Sequence, residues 1–245
     1  MKAMIVAAGL GTRLKPLTDT MPKALVPVAG KPLLGHVIDK LVAGGITELV
    51  INLHHFPGQI VRYVEANHSF GIPVYFSDET DGLLETGGAI RKARTWLDTG
   101  EAFLVHNVDI LSNLDIAALV EQHRRTNPLA TLVVSERETF RYFLFDDDMH
   151  LRAWTNLKTG QVKPENLQDA GRYRKLAFSG IQVLSPEIFN LMDAWPERFS
   201  ITDFYLESLK ANTCIGYMQE NYRMMDVGKI ETLKEKIRVI DEMED

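Results

Sequence analysis

The chain has 245 residues, 45% hydrophobic and 24% charged, enough for one large α/β domain or two small ones. Its formal net charge of −6 argues against a broad basic face for nucleic acid but leaves room for one basic pocket that takes a small anion. The lone cysteine, Cys214, excludes an internal disulfide, and no apolar run approaches the ~20 residues of a membrane span.

The apolar start Met1–Val6 meets Gly9-Leu10-Gly11 too early for a signal peptide and reads as a first, buried strand at Lys2–Val6. These features predict a cytoplasmic protein without nucleic-acid or membrane partners, and leave a homo-oligomer open. Leu33, Val37 and Leu41 share one face of a helix over Leu33–Val42, which Gly44-Gly45 ends. A strand follows at Leu49–Leu53, then a helix at Pro57–Ala66 with proline at its first position. Next come a strand at Pro73–Phe76, a helix at Gly88–Leu97, a strand at Ala102–His106, a helix at Ile116–Arg125 and a strand at Ala130–Ser135. This alternation predicts an α/β, Rossmann-like fold: a mostly parallel central sheet with helices on both faces.

The second half is less regular. Tyr142–Phe145 and Leu151–Trp154 read as a hairpin, with Asp146-Asp147-Asp148 as its solvated turn, and Cys214 reads as a core residue. Leu176–Leu184 is a strand and Pro186–Met192 a short helix. Asp203–Lys210 is a helix capped by Thr202, Ile215–Met218 and Tyr222–Met225 are strands, and Ile230–Met243 is a closing helix. No repeat or composition break divides the chain. The prediction is one domain over 1–245, with the second half as a smaller, β-rich elaboration over the carboxyl edge of the sheet.

Ala7-Ala8-Gly9-Leu10-Gly11-Thr12-Arg13-Leu14 follows the first strand directly, where open α/β sheets bind ligands. Small residues there let backbone N–H groups approach a phosphate. The dinucleotide fingerprint needs glycine at position 14, which is Leu14. A phosphate loop closed by Gly30-Lys31 would need glycine at position 25 and a hydroxyl residue at 32, where Leu25 and Pro32 stand. What remains is a glycine loop with Arg13, a planar fork of donors, at its end and Lys23, a point charge, ten residues on. Cations at both ends suit a triphosphate; a plain strand-to-helix turn with surface cations is the alternative.

Together with Pro22-Lys23-Ala24-Leu25, Lys31-Pro32, Leu84-Glu85-Thr86-Gly87-Gly88, Asn107-Val108-Asp109, Phe178-Ser179-Gly180-Ile181 and Asp226-Val227-Gly228, that loop resembles the sugar-phosphate nucleotidyltransferase family over nearly the whole chain. The resemblance implies a nucleotide-binding part over 1–135, a sugar-binding part over 136–228 and a closing helix over 229–245. It implies nucleotide contacts from Ala7, Ala8, Gly9, Gly11, Thr12, Arg13 and Lys23, with a base site at Glu85, Thr86, Gly87 and Gly88, where paired glycines would let a flat base pack. Asn52, at a strand end, is a minor nucleotide-site candidate. Arg13 and Lys23 would be catalytic, Asp109 and Asp226 would share Mg²⁺, and Ser179 and Gly180 would meet the sugar. Val108 departs from the usual glycine between Asn107 and Asp109. His54-His55 lacks a third nearby ligand for zinc.

The implied partners are an NTP, UTP or GTP, and a sugar 1-phosphate. Leu84–Gly88 and Val50–His54 resemble the N-acetylmuramate-1-phosphate uridylyltransferase branch, and the mannose- and heptose-1-phosphate guanylyltransferases share much of the pattern. Lys229 is a candidate partner for a lactyl carboxylate. Two other readings stay open: a phosphocholine cytidylyltransferase with Trp154 and Tyr142 caging the cation, and a catalytically silent nucleotide-sugar sensor.

Overall fold

The computed structural model describes residues 1–228. The closing helix Ile230–Met243 and Lys229 lie outside the described residues. The strands are β1 (Lys2–Val6), β2 (Pro27–Val28), β3 (Lys31–Pro32), β4 (Glu48–Leu53), β5 (Val74–Asp78), β6 (Phe103–Asn107), β7 (Ile110–Ser112), β8 (Ala130–Ser135), β9 (Arg141–Phe145), β10 (Leu151–Asn156), β11 (Gln161–Lys163), β12 (Arg174–Leu184), β13 (Cys214–Tyr217) and β14 (Met224–Asp226). The helices are α1 (Leu33–Ala43), α2 (Pro57–Ala66), α3 (Glu85–Lys92), α4 (Arg94–Leu97), α5 (Ile116–Thr126), α6 (Ile188–Met192) and α7 (Ile201–Ser208).

The central sheet runs β11-β10-β9-β12-β6-β1-β4-β5, with β8 on β12 and β13 on β8. Its heart, β6-β1-β4-β5, is parallel, as the alternating pattern predicts. Neighbouring residues of β1 point to opposite faces: Ile5 joins Leu33, Ile38 and Ile60 in one core, and Met4 joins Ile90, Phe103 and Phe189 in the other. Sheet burial on both faces is what continuous apolar strands such as Leu49–Leu53 require.

β12 changes partner along its length. Leu176 lies opposite Phe143 of β9, whereas Ile181 lies opposite His106 of β6. Pairing with β8 shifts register between Phe178 and Gln182. Ser179-Gly180 therefore sits at a fork in the sheet, beside the carboxyl end of β6, with Gly180 at φ +75°.

Several local expectations are corrected. The helix expected at Gly88–Leu97 starts at Glu85 and breaks at Ala93 into α3 and α4. α7 starts at Ile201 after Ser200, so Thr202 lies inside its first turn instead of capping it. The hairpin of β9 and β10 and its acidic turn match: Asp146 accepts from the amides of Asp148 and His150 and pairs with Arg152. Cys214 is buried, and burial pushes its thiol up to about 12.

Two buried histidines make the fold acid-sensitive. His123 Nδ1 meets the Thr131 hydroxyl at 2.8 Å and Nε2 meets Ser185 Oγ at 3.2 Å. Because the Ser185 hydroxyl donates to the Pro128 carbonyl, Nε2 carries the proton and Nδ1 accepts, which suits a neutral ring. Burial lowers both His106 and His123 from 6.5 to about 4. Between those values the unfolded chain binds more protons, so stability is full above the unfolded value and is lost as pH falls towards 4. For His106 alone the loss is about 3 kcal/mol. Urea unfolding across this range should give a falling midpoint, and His123→Gln, which cannot charge, should flatten the fall. An unchanged slope in that variant would contradict the assignment.

Candidate active site

The glycine loop leaves β1 at the carboxyl edge of the parallel strands. Gly11 takes φ +63°, and a Cβ there would stand 2.8 Å from Thr18 Cγ2. Thr18 also holds the loop, its hydroxyl donating to the Gly11 carbonyl at 2.9 Å. Thr12-Arg13-Leu14 then forms one 3-10 turn, closed by Leu14 N–H to Gly11 O at 2.8 Å. Gly9, Thr12 and Arg13 are exposed. The amides of Ala7 and Ala8 are already engaged, both donating to Asn52 Oδ1. Those two residues shape the loop's root, and its tip, Gly9 to Arg13, is the part open to a ligand.

The two cations and two carboxylates singled out by sequence come together in space. Lys23 is buried to 8% exposure and pairs with Asp109, which follows the end of β6. The turn from Asp109 enters β7, which pairs with β14, and Asp226 lies opposite Ile110. The Val227 amide donates to the Asp109 carbonyl at 2.9 Å. A Cβ on Gly228 would stand 2.7 Å from Asp226 Oδ1 and 2.8 Å from Arg13 Nη2, so glycine there lets Arg13 reach this corner. Val108 is buried in the core and donates its amide to the Val6 carbonyl at 3.1 Å.

Asp226 Oδ1 is buried and has no hydrogen-bond partner among the described residues. A buried carboxylate oxygen left unsatisfied is costly, which fits an oxygen that receives a cation when a ligand binds. Two carboxylates and no third side-chain ligand suit a hard divalent ion that keeps water and substrate oxygens. Among the described residues no cluster of three or more His, Cys, Asp or Glu forms a metal cage. His54 and His55 instead bind the carbonyls of Glu79 and Thr18, at 2.6 and 3.1 Å.

The segment Glu85-Thr86-Gly87-Gly88 opens α3, and Glu85 and Thr86 keep surface exposure. Its glycines face inward. A Cβ on Gly87 would meet the Phe199 ring at 2.4 Å, and one on Gly88 the Glu197 carbonyl oxygen at 2.3 Å. Their smallness admits residues 197–199, and the Gly87 amide bonds the Phe199 carbonyl at 3.1 Å.

Ser179 and Gly180 do not themselves line the nearby cavity, but Phe178, just before them, lines one of about 810 Å³ together with Arg13, Arg137, Arg141, Trp154, Lys158 and Asp226. A Cβ on Gly180 would collide with Asn107 Nδ2 at 2.5 Å. Ser179 Oγ, Tyr222 Oη and Arg137 Nε are buried without partners among the described residues. Burial raises the Tyr222 phenol, with Ser179, Ser112 and Arg137 nearby acting against it. Arg137, Tyr222 and Glu79 were not singled out from the sequence, because single polar residues in irregular segments carry no periodic signal.

The model of the nucleotidyl transferase family matches residues 2–242. The chain belongs to this family. It is 36% identical over 237 residues to an N-acetylmuramate alpha-1-phosphate uridylyltransferase of Neisseria meningitidis serogroup B, covering 96% of each. A Caulobacter vibrioides protein of the same description is 34% identical over 209 residues, covering 79% of this chain and 82% of the relative. The fold is shared with HddC from Yersinia pseudotuberculosis complexed with GMP-PN, at a TM-score of 0.77, 22% identity and coverage of 98% and 99%. No described helix is long and apolar enough to cross a membrane.

The α3 geometry gives a direct test. Gly88→Ala should lose about 1–3 kcal/mol of stability, because a methyl group cannot share space with a backbone carbonyl. Urea unfolding measures it, and wild-type stability would contradict the packing role.

Proposed function

We propose that this nucleotidyltransferase joins the nucleotidyl group of UTP to N-acetylmuramic acid 1-phosphate or a related acidic sugar 1-phosphate, releasing pyrophosphate. The observation that carries the reaction class is the convergence of Arg13, Lys23, Asp109 and Asp226 beside the glycine loop. The substrate choice is supported by the similarity to N-acetylmuramate uridylyltransferases and by the balance of charge in the cavity. With Arg13 and Asp226 left to the nucleotide and the metal, Arg137, Arg141 and Lys158 face only Glu138 among the lining residues. That surplus suits an acceptor carrying a carboxylate in addition to its phosphate. Lys229, the earlier candidate for that carboxylate, lies outside the described residues, and Arg137, Arg141 and Lys158 take its place in this reading.

In this mechanism an oxygen of the sugar phosphate attacks the α-phosphorus of the NTP in line with departing pyrophosphate, and no covalent enzyme intermediate forms. The loop from Gly9 to Arg13 wraps the β- and γ-phosphates, with the Arg13 fork on their oxygens. Lys23, shared between Asp109 and the α-phosphate, offsets the charge that builds there. Asp109 and Asp226 would hold Mg²⁺, which supplies charge neutralisation and orientation of phosphate oxygens when bound. Glu85 and Thr86 border the base, and Ser179 and Gly180 border the sugar. Catalysis is positioning plus charge neutralisation, without a protein nucleophile.

A choline-type acceptor is less well supported. Trp154 carries the Lys163 ammonium 5.7 Å from the centroid on one face of its ring, and Arg137, Arg141 and Lys158 in the cavity repel a further cation. A silent sensor would have no need for all four charged groups of the corner.

Three outcomes test the proposal. Asp109→Asn and Asp226→Asn should each remove most turnover with the fold intact by circular dichroism, and EDTA should do so reversibly; full turnover in metal-free buffer would refute the metal role. Lys23→Ala and Arg13→Ala should each slow pyrophosphate release by about 10²-fold, and Lys23→Arg should restore only part. UTP with N-acetylmuramic acid 1-phosphate should exceed GTP with mannose or heptose 1-phosphate in kcat/KM, and Arg141→Ala should cut the preference for the acidic sugar by about tenfold. A GTP preference would overturn the uridylyl assignment.

A further inference from the structure

The loop that meets the phosphates and the segment that borders the base come from distant parts of the chain, and a closed run of hydrogen bonds joins them. Asn52, near the carboxyl end of β4, accepts through Oδ1 from the amides of Ala7 at 2.6 Å and Ala8 at 3.2 Å. Its Nδ2 donates to Glu79 Oε1 at 2.7 Å. Glu79 Oε2 accepts from the Leu84 amide at 3.2 Å, one residue before Glu85. Both side chains are buried, at 1% and 2% exposure. Glu79 is itself fixed by its backbone: its amide donates to the Leu53 carbonyl at 2.7 Å, and its carbonyl accepts from Gly82 at 3.0 Å.

The chemistry of this run is selective. Residue 52 must accept from two amides and donate at its other end, which an amide side chain does and a carboxylate or hydrocarbon cannot. Residue 79 must accept at both ends, which a carboxylate does and an amide cannot. A buried carboxylate needs such donors to be tolerated at all. Neither side chain lies in the corner formed by Arg13, Lys23, Asp109 and Asp226.

We propose that Asn52 and Glu79 form a positioning unit that holds the glycine loop and the start of α3 at one fixed separation, so that a single nucleoside triphosphate meets both. This rests on the nucleotide site of the proposed function. The unit prepays the ordering of two loops that NTP binding would otherwise have to bear, and it leaves the sugar side untouched. Its signature is a nucleotide-specific KM defect shared by both residues.

The test is a double-mutant cycle on the full chain with UTP and N-acetylmuramic acid 1-phosphate, or with whichever pair the wild type turns over. Glu79→Gln and Asn52→Ala should each raise the KM for NTP by about tenfold, with the KM for the sugar 1-phosphate moving by less than about twofold. The double variant should be no worse than the poorer single, because the second change removes a link already broken. Multiplying defects, an unchanged NTP KM, or a sugar KM that rises in step would each overturn the positioning unit. If Asn52→Ala fails to fold by circular dichroism, Asn52→Ser closes the same cycle. A wild-type chain that releases no pyrophosphate with any NTP and sugar 1-phosphate would instead refute the functional reading, and this proposal with it.

Discussion

The ion pair between Lys23 and Asp109 joins residues 86 positions apart and ties the segment after the glycine loop to the turn that follows β6. Both partners are largely buried, where a lone charge would be costly, so each makes the other tolerable. The corner depends on it. With Asp109 held there, β7 pairs with β14 and brings Asp226 alongside, and Gly228 leaves space for Arg13. The pair thus holds a cation beside the glycine loop without leaving a lone buried charge.

The same region leaves polar groups unfinished. Arg137 Nε, Ser179 Oγ, Tyr222 Oη and Asp226 Oδ1 are buried without partners among the described residues. Such groups cost about 1–3 kcal/mol each, and folds usually avoid them. Here they border the fork where β12 leaves β9 for β6 and the cavity lined by Arg137 and Asp226. These unpaired groups mark the region as one that a bound ligand or ion would complete. Beside the glycine loop, Asn52 and Glu79 bond to each other and to the backbone at Ala7, Ala8 and Leu84.

Much of the fold was legible because buried parallel strands write themselves as apolar runs. Lys2–Val6 appears in the structure with the expected bounds, and Leu49–Leu53 lies within β4. The charged corner was legible too, since Arg13, Lys23, Asp109 and Asp226 each follow a strand or loop in recognisable blocks. The rest depended on contacts that local pattern does not encode. Glu79 sits in Asp78-Glu79-Thr80-Asp81-Gly82, which has no periodic pattern, and only the fold places Asn52 across from it. The resemblance implies a base site at Gly87 and Gly88, and local pattern does not encode that their missing side chains also make room for Phe199 and Glu197. The break at Ala93, the start of α7 at Ile201 and the partner switch of β12 are likewise set by tertiary packing.

Direct displacement, with the sugar phosphate itself as nucleophile, can be checked by incubating the wild-type enzyme with labelled pyrophosphate and NTP, with and without the sugar 1-phosphate. Direct displacement predicts label entering NTP only when the sugar partner is present, and pyrophosphate and nucleotide sugar formed in equal amounts. Exchange without the sugar 1-phosphate would demonstrate a nucleotidyl-enzyme intermediate and rule out direct displacement.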